Sequence, residues 1–67
     1  MNTQTRQRIS RINEVMHTLI SCKDRGETLD HTRYAMRLSI KHGCSMRKAM
    51  EYIQIAIERI EMEGQDE

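Results

Sequence analysis

Sixty-seven residues with 11 Lys and Arg, 10 Asp and Glu and two cysteines make one small domain, too poor in cysteine for a disulfide scaffold and too short to enclose a substrate pocket. A net charge of +1 singles out no polyanionic partner, and the apolar runs, pairs and triplets such as Ala56-Ile57, fall far short of a membrane span. A chain this short buries only about 60% of the surface its unfolded form exposes, so a second subunit is the expected source of further buried area.

The chain lacks proline, phenylalanine and tryptophan but has six methionines. That composition suits helices, and the strict two-residue alternation of strands is scarce. The fold class expected is all-α, a single three-helix domain over residues 1–67. The opening MNTQTRQRIS has no apolar run behind its charges, so no secretory leader is expected and the chain is assigned to a cytoplasm.

The first helix is expected at about 5–22. Ile9, Ile12, Met16 and Leu19 step by three and four, Val15 and Ile20 widen the stripe, and Arg6, Arg8, Arg11, Asn13 and Glu14 fall opposite. Lys23-Asp24-Arg25-Gly26-Glu27 reads as a charged connecting loop.

The second helix is expected at about 29–42, capped by Thr28 and closed by Lys41-His42-Gly43, cations followed by glycine. Its apolar face is assigned to Leu29, Thr32, Ala35, Met36 and Ile40, with Leu38 at the flank. Arg33, Arg37 and Lys41 form a basic stripe on the other side, with Tyr34 beside it.

The third helix is expected at about 46–62, capped by Ser45. Ala49, Met50, Ile53, Ala56, Ile57 and Ile60 form its stripe, and Tyr52, Ile55 and Met62 make a second row off that stripe. A helix apolar on more than one side is either central in a large core or used twice. The second row is therefore assigned to a homodimer seam through this C-terminal helix. Residues 64–67 are expected to fray as an acidic tail.

The distribution of charge says more than its sum. Between His31 and Met50 lie Arg33, Arg37, Lys41, Arg47 and Lys48 and no acid; from Glu58 to Glu67 five acids face Arg59 alone. Such asymmetry points to a contact surface in one place and a solubilising end in another. The block from Arg33 to Ile53 resembles the plan of a helix-turn-helix: a helix, a short glycine turn, and a Ser-capped helix with Arg47 and Lys48 in its first turn. The likeness covers about a third of the chain. Ser39 stands where many such motifs have alanine, and the third helix is longer than most recognition helices.

The same residues, a basic stripe flanked by Tyr34, Met36 and Met46, suit an acidic protein surface. Arginine, tyrosine and methionine are enriched at interface centres, and methionine adapts to irregular partners. The expected contact set is Arg33, Tyr34, Arg37, Lys41, Met46, Arg47 and Lys48. A DNA-binding domain is usually visibly basic. With the charge near balance, a partner protein with an acidic surface ranks ahead of duplex DNA.

Neither catalysis nor a cofactor is expected. No nucleophile or acid–base motif and no glycine-rich phosphate loop occurs. His17, Cys22, His42 and Cys44 have the atom types for zinc, but H-x4-C and H-x-C match no zinc-ligand pattern, so both cysteines read as free thiols and no metal site is assigned. The expectation is a small non-enzymatic regulator, similar in style to the helical accessory proteins of phages and plasmids that modulate, most often inhibit, a partner. The alternative is a dimeric helix-turn-helix regulator of transcription.

Overall fold

A computed structural model describes residues 2–64. The chain is all-helical there, with α1 at Thr3–Asp24, α2 at His31–His42 and α3 at Met46–Gly64, and no strand among the described residues. The acidic tail expected at 64–67 begins one residue too early, since Gly64 still belongs to α3, and the rest of it lies outside the described residues.

Local chemistry sets each helix end. Asn2 caps α1, its side-chain oxygen accepting from the Thr5 N–H at 2.8 Å, so the helix starts two residues ahead of its expected position. At the other end the Glu27 N–H reaches the Cys22 carbonyl at 2.9 Å and the Gly26 N–H reaches Lys23 at 3.0 Å. This paired closure needs a left-handed residue at Gly26, where φ is 71°. The cap of α2 is Asp30 rather than Thr28: the Asp30 carboxylate accepts from the Arg33 N–H at 3.2 Å. Asp outranks Thr as an N-cap, and its charge suits the positive end of the helix.

The turn between α2 and α3 is built from three residues. Gly43 takes φ 63° and ψ 32° and ends α2. The Cys44 N–H then returns to the Ser39 carbonyl at 3.1 Å, and the Ser39 hydroxyl donates to the Cys44 carbonyl at 2.5 Å. Ser45 caps α3 by accepting from the Lys48 N–H at 3.1 Å. Ser39 therefore has a structural task at the position where alanine was the comparison: it stitches the turn.

The core comprises Ile12 and Val15 of α1, Ala35 and Leu38 of α2, and Ala49, Tyr52, Ile53 and Ala56 of α3. α3 packs against both other helices, whereas α1 and α2 do not pack backbone to backbone. Alanines 35, 49 and 56 are fully buried, and their small side chains admit neighbouring helices at short range. The wide apolar arc of α3 is thus used twice, but within one chain.

Two assignments are corrected by this arrangement. Tyr52, expected in a dimer seam, is 6% exposed and belongs to the core; Ile55 is half-buried against it, and only Met62, at 69%, stays exposed. Two helices packing on α3 consume the row that a single stripe would have left free. The second correction concerns α2. Leu38, expected at the flank, is buried, while Met36 and Ile40, expected inside, are 52% and 82% exposed. Ala35, Leu38 and His42 recur at helical spacing on the inward side, and the Met36–Ile40 row lies roughly two fifths of a turn away. The row that contains alanine wins, because it permits the close approach to α3. Met50 likewise leaves the expected stripe of α3 and is exposed.

Leu38→Ala should therefore destabilise the fold by about 2–5 kcal/mol, the usual cost of truncating a buried leucine. Ile40→Ala should change stability by less than about 0.5 kcal/mol, as exposed sites do. Urea unfolding of the two variants checks this; a large loss from Ile40→Ala would restore the helix phase expected from the sequence.

Candidate partner-binding surface

Of the seven residues expected to make contact, Arg33, Arg37 and Arg47 are exposed, and no carboxylate lies within ion-pair distance of them among the described residues. Met46 is exposed at the first position of α3. Tyr34 is half-buried and packs against the core. The tyrosine forms a wall shared by two shallow hollows, each of about 220 Å³. One also involves Asp30, Arg33 and Arg37; the other involves Glu14, Thr18, Arg37, Leu38 and Lys41. Arg37 lines both and stands between them.

The two lysines are less free. Lys41 donates to Glu14 Oε1, and His42 Nε2 lies 2.9 Å from Glu14 Oε2. One carboxylate of α1 thus holds the last turn of α2, where cations also suit the helix dipole. The Lys41 ammonium keeps the Glu14 carboxyl below its ordinary value of 4.5, His42 adds to the effect, and partial burial works against it. Glu14 in return raises the Lys41 ammonium. Lys48 sits 4.0 Å from Glu51, which also pairs with Arg8 at 3.4 Å.

Lys48 also faces a different concavity from Arg33 and Arg37. It lines a cleft of about 500 Å³ between α1 and α3 with Gln4, Thr5, Gln7, Arg8, Arg11 and Tyr52, where Arg11 donates to the Tyr52 hydroxyl at 3.4 Å. The expected set therefore divides: Arg33, Tyr34 and Arg37 lie together on α2, Lys41 is tied to α1, and Lys48 turns toward the N-terminal half of α1.

Sequence reasoning set Met36 beside the basic stripe but missed Ile40 as part of the same surface. Met36 and Ile40 are one turn apart on α2, beside Arg33 and Arg37, with their side chains in solvent. The signal was present as two competing apolar rows on one helix, of which only one could face α3.

No three His, Cys, Asp or Glu side chains cluster in a metal-holding arrangement among the described residues. Cys22 is a buried free thiol that accepts from Arg25 at 3.6 Å, and Cys44 is a half-buried one that reaches the Leu38 carbonyl at 3.9 Å. No helix of the described residues is long and apolar enough to cross a membrane.

The Glu14 bridge has a definite pH signature. A carboxyl whose folded pKa is lowered contributes stability in full above its unfolded value and loses it as pH falls through the folded value. The gap in Tm between wild type and Glu14→Gln should be widest near neutrality, narrow below pH 4.5 and close once Glu14 is protonated. A gap unchanged from neutral to strongly acid pH would show that the carboxylate's charge holds nothing.

No protein-family model matches this chain, and no curated protein or solved structure matches it either, so the reading of its surface rests on geometry and chemistry.

Proposed function

We propose that this chain is a non-enzymatic regulatory module that binds a partner protein through α2 and the α2–α3 corner, and inhibits that partner by covering its surface. The observation that carries the reading is the exposed pair Met36 and Ile40 framed by Arg33 and Arg37, which pair with no carboxylate among the described residues. Apolar side chains held in water by a stable fold gain free energy only when a partner covers them, about 25 cal/mol for each Å² removed from water. Arginines at the edge of such a patch select an acidic partner and speed encounter. A phosphate backbone would reward the arginines and leave Ile40 without a contact.

A helix-turn-helix regulator is the second reading, and one observation favours it. Ala35, Leu38, Ala49 and Tyr52 point inward across the Gly43–Ser45 turn, while Arg47, Met50 and Gln54 are exposed on α3, the side that would enter a major groove. Glu51, exposed on the same helix, and the diversion of Lys41 and Lys48 to carboxylates weigh against a phosphate-binding role. Self-association belongs to either reading, since a dimer presents the corner twice.

Reversing Arg33, Arg37 and Arg47 to glutamate should abolish partner binding while the melting curve moves little. Exposed substitutions typically shift stability by less than about 0.5 kcal/mol, and interface arginines are often worth about 2 kcal/mol or more. Ile40→Asp separates the readings. A protein retained by immobilised wild type should be lost from both Ile40→Asp and the triple variant. Duplex DNA should bind weakly at any salt. Affinity for DNA that falls steeply with salt, and that Ile40→Asp leaves intact, would replace the first reading by the second.

A further inference from the structure

We propose that a second copy of this chain seats on the apolar groove between the C-terminal halves of α1 and α3. The groove holds about 220 Å³ and is lined by Leu19, Ile20 and Lys23 of α1 and by Ile57, Ile60 and Glu61 of α3. Its floor and walls are four aliphatic side chains, of which Ile20 is 40% exposed and the other three are half-buried. Of the residues expected to form the seam, Tyr52 and Ile55 are turned to the core and Met62 alone stays exposed, so self-association needs a broader apolar surface, and this groove is one.

The charges on the rim identify the occupant. Lys23 stands on the α1 bank and Glu61 on the α3 bank. They are opposite in sign and line one groove, yet they make no ion pair with each other or with any other described residue. In a two-fold interface residue i meets residue j of the partner and j meets i. A copy turned about such an axis sets its Lys23 at Glu61 and its Glu61 at Lys23, while the two Ile20 side chains close over the aliphatic floor. The two charges that pair with no described residue of their own chain thus pair across two. A foreign partner would need the aliphatic face and both charges in the same order; a second copy supplies them by symmetry. Arg33, Met36, Arg37 and Ile40 take no part in the groove, so the dimer leaves the proposed contact surface open. The inference rests on self-association and is independent of what that other surface binds.

Sedimentation equilibrium of the full chain, from low micromolar to near-millimolar concentration, tests it. Wild type should dimerise with concentration. Lys23→Glu and Glu61→Lys should each weaken the dimer by about tenfold or more, because every reversal creates two like-charge contacts. An equimolar mixture of those two variants should recover the wild-type affinity as a heterodimer, as should the double variant Lys23→Glu/Glu61→Lys with itself. Ile20→Asp should be monomeric with its helical circular dichroism intact. The rescue by mixing depends on the interface and not on folding. A wild type that stays monomeric throughout would remove self-association altogether. A dimer that ignores both reversals, or that mixing fails to restore, would place the interface elsewhere.

Discussion

Everything in this molecule depends on α3 serving as the common partner of the other two helices. A 67-residue chain has little apolar surface to bury, and it concentrates that burial on one element. Four of the eight core residues come from α3. Two of those four are alanines, which admit neighbouring backbones at short range, and the other two, Tyr52 and Ile53, fill the space this leaves. Each neighbour needs only a narrow inward row, so Ile9 and Ile20 of α1 and Met36 and Ile40 of α2 are left exposed.

The consequence is sharpest for α2. Twelve residues carry two apolar rows, and the close approach to α3 selects Ala35 and Leu38. The left-handed Gly43, the Ser39 stitch and the Glu14 bridge to Lys41 and His42 then fix the rotation of the helix from its C-terminal end. Met36 and Ile40 are exposed because of that choice, and the arginines beside them become the rim of an apolar patch instead of a purely basic stripe. The groove between α1 and α3 arises in the same way: Leu19 and Ile20 run past the point where α3 offers small residues, and the gap stays open.

The number, order and approximate limits of the helices were legible because their signals are local: glycines that end a helix, a serine that starts one, and apolar steps of three and four. The exposure of Arg33, Arg37 and Arg47 was legible for the same reason. What the pattern could not settle was which of two apolar rows faces inward. On α2 the apolar count favoured Met36 and Ile40, but the deciding factor was the room beside α3, a property of another segment. On α3 the second row was correctly seen as surplus to one stripe. Its use by a second helix of the same chain, with Tyr52 buried, required the tertiary arrangement. The ties of Lys41 to Glu14 and of Arg8 to Glu51 join residues far apart in the chain, so no local signal announced them.

The rotation of α2 puts Leu38 inside and Met36 and Ile40 in water. The most direct measurement is methyl NMR of the full chain with a soluble paramagnetic agent that broadens exposed methyl groups. With α2 rotated in this way, the Met36 and Ile40 methyl signals should broaden strongly and those of Leu38 should be protected. Protected Ile40 methyls beside broadened Leu38 methyls would reverse the helix phase, and with it the surface on which the proposed partner contact depends.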